Sequence, residues 1–234
     1  LALILNIETA TEVCSVALAS EGKVVSCMEE PEGRNHALLL TTFIDSCLKQ
    51  AGVKFADLDA IAVSKGPGSF TGLRIGVSTA KGLCYALDKP LISVNSLQSM
   101  AAVVIGKGHH QNADLLCPMI DARRMEVYMA IFNLKGEFVA DTSAPIIDNK
   151  SFESYLNSKK VLFFGDGMQK CKELLNSSEN ALFLDENSNS ALGMIQFSEN
   201  SYKIGQFESM AYFEPFYLKD FYVARQPEPP KFRL

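Results

Sequence analysis

The feature that most constrains this chain is a repetition. Hydrophobic periodicity and turn residues give the element order βββαβαβα over residues 1–105 and the same order again over residues 115–202. In the first half, residues 1–7, 13–20 and 23–28 read as strands, the last two closed by the two-residue turn Glu21-Gly22. Helices at 35–50, 72–87 and 96–105 alternate with strands at 60–64 and 91–94. The second half repeats this with strands at 115–122, 126–133, 137–140, 161–164 and 181–184 and helices at 151–157, 168–176 and 190–202. The first strand of each half ends in an acid, Glu8 or Asp121, and the fourth runs into a glycine turn, Gly66-Pro67-Gly68 or Gly165-Asp166-Gly167. A duplicated α/β chain of this kind predicts two similar lobes facing each other across a cleft, with both glycine turns at its mouth. Periodicity is lost over residues 106–112, so the lobes are expected at 1–107 and 113–222. An extended tail is expected at 223–234, carrying Gln226-Pro227-Glu228-Pro229-Pro230.

A chain of 234 residues with 47% hydrophobic content can bury a sizeable core. Its net charge of −5 offers no basic field for RNA or DNA, so any nucleic acid is expected to be held by a partner. The six cysteines (Cys14, Cys27, Cys47, Cys84, Cys117, Cys171) are scattered, without a C-x-x-C pair, and most sit among apolar residues. Reduced, buried thiols are expected, and with them a cytoplasmic setting. Residues 1–7 are too short for a signal peptide and no apolar run approaches ~20 residues, so no membrane span is expected.

Residues 64–74, Ser-Lys-Gly-Pro-Gly-Ser-Phe-Thr-Gly-Leu-Arg, join a buried strand to a long helix. The spacing G-x-G-x-x-x-G is neither the dinucleotide fingerprint nor a Walker A loop. Two readings stay open. Gly66, Gly68, Ser69, Thr71 and Gly72, with Glu8 and Thr9, form a vestigial anion or nucleotide loop at a helix N-terminus, or the glycines only allow a tight turn. Catalytic constellations are absent from the pattern. His36, His109 and His110 make no i, i+4 metal pair, Ser69 lacks the spacing of a nucleophile elbow, and Glu8-Thr9-Ala10-Thr11 has alanine where a kinase-type phosphate turn has glycine. No catalytic residue, metal site or cofactor is expected.

The first two helices are apolar over wider arcs than one core needs. Leu39, Leu40, Phe43, Ile44, Cys47 and Leu48 cover about half of helix one, and helix two leaves only a polar wedge of Arg74, Ser78, Lys81 and Tyr85. Gly76 and Gly82 each cost about 1 kcal/mol inside a helix, which the close approach of another backbone explains. Both helices are therefore either sandwiched within the lobe or packed against a partner.

Residues 64–76, Ser-Lys-Gly-Pro-Gly-Ser-Phe-Thr-Gly-Leu-Arg-Ile-Gly, together with Ala80-Lys81-Gly82, Asp121-Ala122-Arg123-Arg124-Met125-Glu126-Val127-Tyr128 and Pro215-Phe216-Tyr217-Leu218, closely resemble the bacterial TsaB (YeaZ) family over essentially the whole chain. The resemblance implies the duplicated actin/Hsp70-like (ASKHA) ATPase fold. It also implies a non-catalytic role in placing threonylcarbamoyl on adenosine 37 of tRNAs that read codons beginning with A. The implied partners are the catalytic homologue TsaD as a heterodimer and the ATPase TsaE, with a homodimer in isolation and tRNA only through the complex. The implied interface is the helix pair, at Leu39, Phe43, Cys47, Ile75, Gly76, Ser78, Thr79, Gly82 and Ala86. The catalytic relative carries Asn-His-Leu-Glu-Gly-His with two metal-binding histidines, whereas this chain has Asn95-Ser96-Leu97-Gln98-Ser99-Met100. Ser96 and Met100 are poor substitutes as ligands. The rival reading is an independent ATP-dependent kinase or hydrolase of the same fold.

Overall fold

The computed structural model describes residues 2–31, 35–186 and 189–219; the expected tail at 223–234 lies outside them. The first half runs β1 (Leu3–Glu8), β2 (Cys14–Ser20), β3 (Lys23–Glu30), α1 (His36–Ala51), β4 (Ala60–Gly66), α2 (Phe70–Leu87), β5 (Leu91–Asn95) and α3 (Ser96–Gly106). The second runs β6 (Leu115–Asp121), β7 (Val127–Phe132), β8 (Phe138–Ser143), α4 (Glu153–Leu156), β9 (Val161–Phe164), α5 (Lys172–Leu175), β10 (Ala181–Leu184) and α6 (Ile195–Lys203). Two five-stranded sheets result, ordered β3-β2-β1-β4-β5 and β8-β7-β6-β9-β10. In each, the first strand pairs antiparallel with the second and parallel with the fourth. The repeated sequence order is therefore a repeated topology. β1 reads as an almost unbroken apolar run because both faces of its sheet are covered.

Local chemistry accounts for the boundaries. Glu21 and Gly22 take φ of 52° and 72°, the left-handed pair that a tight hairpin between β2 and β3 needs. α1 stops at Gly52 (φ 69°), whose N–H returns to the carbonyls of Leu48 and Lys49.

The outer face of the first sheet packs Leu5, Ile7, Val16 and Leu18 against Leu40, Ile44 and Cys47 of α1 and Val77, Ala80 and Cys84 of α2. Its inner face is alanine-rich (Ala17, Ala60, Ala62), which brings a backbone close. What comes close is the 3₁₀ turn Ala191–Met194 and Ile195, from the second half. The exchange is reciprocal. α3, from the first half, places Leu97, Met100, Ala101 and Val104 on the inner face of the second sheet, against Leu116, Ile120, Phe132 and Phe164. Where the two exchanged elements cross, a side chain on Gly193 would meet the Ser99 carbonyl at 2.1 Å. Among the described residues the outer face of the second sheet carries only short helices, α4 and α5, of 4 residues each, against 16 and 18 in α1 and α2. The large helices thus lie on one lobe.

After α6 the chain returns to the first lobe as an irregular strap, residues 205–219. Glu208 N–H donates to the Leu91 carbonyl (2.8 Å), Phe213 enters the first lobe's core, and Phe216 N–H donates to the Lys65 carbonyl (2.7 Å).

Candidate functional site: the glycine loop, the cleft and the helix pair

The glycine loop leaves β4 through Gly66 (φ 105°) and a cis peptide to Pro67. Ser69 then caps α2: its Oγ accepts from Gly72 N–H at 3.2 Å, an interaction worth about 1 kcal/mol. The turn after β1 is inlaid against this helix start. Ser69 N–H donates to the Ala10 carbonyl (2.6 Å) and Thr9 Oγ1 donates to the Gly72 carbonyl (2.9 Å). A Cβ on Gly68, Gly72 or Gly76 would lie 2.2, 2.1 or 2.2 Å from Ala10 O, Thr9 O and Thr9 Oγ1 respectively. The glycines serve this approach of the chain to itself. Where a Cβ would stand on Gly68 and Gly72 there are carbonyl oxygens of the turn after β1. Gly66 takes a positive φ, whereas at Gly68 it is the Ala10 carbonyl that leaves no room for a side chain.

Of the candidate loop residues, Ser69, Thr71, Gly68 and Gly72 line the cleft. Glu8 and Thr9 are buried in the turn. Glu8 Oε1 accepts from Ala10 N–H at 2.7 Å. Burial pushes its carboxyl up to about 7, against the pull of hydrogen bonds from the Ala10 backbone, the Ser64 hydroxyl and the Thr9 backbone.

The cleft between the lobes encloses about 900 Å³. From the second lobe it is lined by Asp121, Arg123, Arg124, Glu126 and Asp166, and it is also lined by residues 216–219 of the strap. Two of these charges, Asp121 and Glu126, are engaged in ion pairs. Asp121 pairs with Lys170 and Glu126 with Lys219, and Asp121 also accepts from Arg123 N–H (2.8 Å). Partial desolvation, then the neighbouring Asp121, raise the carboxyl of Asp166. Ser96 and Met100 are fully buried, Met100 in the core beneath the second sheet. Among the described residues no three His, Cys, Asp or Glu side chains group as a metal site would need. All six cysteines are free and five are buried; burial pushes Cys14, Cys27 and Cys84 up to about 11.

The helix pair divides the expected interface residues. Cys47 and Gly76 face inward and are removed from it: Cys47 is 0% exposed with Sγ on the Val16 carbonyl (3.3 Å), and Gly76 is closed over by Thr9. Leu39, Phe43 and Ile75 are half-buried at the rim of the core. Ser78, Gly82 and Ala86 are exposed and Thr79 is half-buried. Thr71, Ile75, Ser78, Thr79, Gly82 and Ala86 fall within roughly 100° of arc. That arc is uncharged and mostly small. A Cβ on Gly82 would touch nothing within 4 Å, so nothing in the lobe accounts for a glycine there.

Sequence reasoning missed two features. Leu38, 74% exposed on α1, stands outside the apolar arc expected for that helix. Two residues of the polar wedge of α2 seat the strap: Arg74 Nε donates to Tyr217 Oη (3.3 Å) and Lys81 Nζ to the Phe213 carbonyl (3.1 Å). Pro215-Phe216-Tyr217-Leu218 carried the only sequence signal for it.

The family model described as TsaD, tRNA N6-adenosine threonylcarbamoyltransferase, matches residues 29–220. The tRNA threonylcarbamoyladenosine biosynthesis protein TsaB of Escherichia coli is 40% identical over 54% of this chain, and the match spans 53%, about half, of that relative's length. The protein of the same name from Bacillus subtilis is 33% identical over 74% of each chain. The solved structure of YeaZ from Pseudomonas aeruginosa superposes with a TM-score of 0.78 at 28% identity, covering 93% of this chain and all of that one. The two-lobe architecture is the duplicated actin-like fold.

Proposed function

Because the chain belongs to the TsaB (YeaZ) family, within the wider group covered by the TsaD model, we propose that it is a non-catalytic subunit of tRNA threonylcarbamoyladenosine biosynthesis. In this reading it binds the catalytic homologue TsaD through α1 and α2 and holds it in a productive state for modifying adenosine 37 of tRNAs that read codons beginning with A. TsaE joins the same cytoplasmic complex, tRNA is held through the partners, and the chain alone pairs with itself through the same helices. The interface comprises Leu39, Phe43, Ile75, Ser78, Thr79, Gly82 and Ala86. The observation that carries the proposal is the outer face of α2. A solvent-facing helix surface is ordinarily charged; this one is small, uncharged and holds a glycine with nothing against it, which fits a second helix approaching at backbone distance. The glycine loop supports a non-catalytic role, since its cut-outs are filled by Thr9 and Ala10. Among the described residues no helix is long and apolar enough to cross a membrane.

The test is co-purification with the catalytic homologue from the same cell, followed by tRNA modification with and without this chain. Modification that depends on the chain supports the reading. Modification at full rate without it, or sustained ATP hydrolysis by the isolated chain that disappears in Glu8→Ala, would sink it in favour of an independent ATP-dependent enzyme.

A further inference from the structure

We infer that residues 216–219 are an interlobe clasp, which holds the cleft closed at its mouth and transmits the state of the cleft to the first turns of α2. The strap is anchored along the first lobe by Glu208 on Leu91 and Ser93 (Ser93 Oγ to Glu208 Oε1, 2.5 Å), by Phe213 in the core and by Phe216 on the Lys65 carbonyl. It then reaches the start of α2, where three residues form a closed contact. The Tyr217 ring lies 5.1 Å from that of Phe70, the Arg74 guanidinium sits 4.0 Å above Phe70, and Arg74 Nε donates to Tyr217 Oη. Two residues later the chain is on the other lobe: Lys219 Nζ donates to the Ala122 carbonyl (3.1 Å) and pairs with Glu126, in the turn between β6 and β7.

The position of this crossing decides what it can do. Away from the cleft lining the lobes are joined by the buried exchange of α3 and the 191–195 segment, which is close-packed and behaves as a pivot. Opening is then largest away from that pivot, and it is there that the strap crosses: residues 216–219 line the cleft, whereas no residue of α3 or of 191–195 does. Its contacts there are a partly exposed ion pair, a cation over a ring and single hydrogen bonds, individually weak and quickly remade. Contacts of that strength suit a latch between two states a few RT apart. Because Tyr217 and Lys219 are separated by one residue, movement of the 122–126 turn pulls directly on Phe70 and Arg74. The coupling is reciprocal, so that anything ordering the start of α2 favours the closed cleft. The clasp stands independently of which protein binds α2.

The experiment places spin labels, attached without cysteine chemistry, at the exposed Asp57 and Lys159, one on each lobe. Their distance distribution is measured in the native chain, in Lys219→Met and in Tyr217→Ala. Hydrogen exchange over residues 70–75 is followed in parallel. Both substituted residues are partly exposed, and retained far-ultraviolet dichroism confirms folding. The clasp predicts a broader distribution with a longer mean in both variants, and exchange several-fold faster at the start of α2 in Lys219→Met. An unchanged distribution in Lys219→Met overturns the clasp, and a changed distribution with unchanged exchange overturns its link to α2.

Discussion

Replacing Gly82 with alanine should move stability and association in opposite directions. Gly82 lies inside α2 with no neighbour within 4 Å of its would-be Cβ, so the new methyl meets solvent. Alanine in a helix interior is favoured over glycine by about 0.8–1 kcal/mol, because the unfolded glycine has more freedom to lose. For a chain of this size that corresponds to a rise in Tm of about 2–4 °C. If a partner helix approaches Gly82 at backbone distance, the same methyl is an overpacking defect in the assembled state. It then costs about 1–3 kcal/mol, or roughly 5- to 150-fold in affinity. Gly76→Ala is the control: its Cβ would lie 2.2 Å from Thr9 Oγ1, so it should lower Tm in the isolated chain. Thermal unfolding paired with sedimentation velocity, of the protein alone and with the catalytic homologue, reads both quantities. A Gly82→Ala protein that gains stability and still associates with native affinity would refute the packing argument.

Three further outcomes are expected. Glu8 has a folded pKa of about 7 against 4.5 unfolded, so the native state binds the extra proton between those values and stability falls as pH rises through that window, by about 3 kcal/mol in total. Glu8→Gln should flatten that slope in urea titrations at pH 5 and pH 8, and an unaltered slope would show that Glu8 is not the group responsible. Gly68→Ala should cost about 1–3 kcal/mol in the same assay, because the Ala10 carbonyl 2.2 Å from its Cβ is backbone and cannot swing aside; native stability would remove the steric account of the loop. Ser78→Glu should stay within about 0.5 kcal/mol of native stability yet lose association, since a charge buried unpaired on assembly is expensive. Leu39→Glu, at the core's rim, should lose both, and a Ser78→Glu protein that still associates would move the interface off this face.

The fold was legible because its signals are local and were repeated. Alternating strands, the Glu21-Gly22 turn and the glycine after α1 each specify their own geometry, and finding the order twice specified the topology. The lobe to which a helix is attached in sequence does not reveal the sheet it covers, so the exchange of α3 and the 191–195 segment was invisible. At the site, the wide apolar arcs of α1 and α2 are visible on a helical wheel but cannot be divided there. Cys47 and Gly82 look equally available on a helical wheel, yet one faces Val16 and the other faces nothing. The glycine loop is ambiguous for a related reason. A glycine's empty space is the same in sequence whether a phosphate or the chain's own Thr9 will occupy it. The strap escaped detection because its contacts are single hydrogen bonds and ring contacts to α2, with no periodicity of their own.

The helix exchange also bears on how the chain comes into being on the ribosome. The inner face of the first sheet, with Ile4, Ala17, Ala62 and Ile92, is covered by Met194 and Ile195. At typical elongation rates of about 5–20 residues per second, that cover arrives on the order of 5–20 s after the first half has emerged. During the wait the alanine-lined sheet and the apolar face of α3 are both bare, and neither half has a finished core. Contacts spanning nearly the whole chain also slow the final collapse. Despite its two-lobed shape, the protein should therefore behave as one cooperative folding unit. Fragments cut at residue 106 should each be chaperone-dependent alone and recover structure only when mixed.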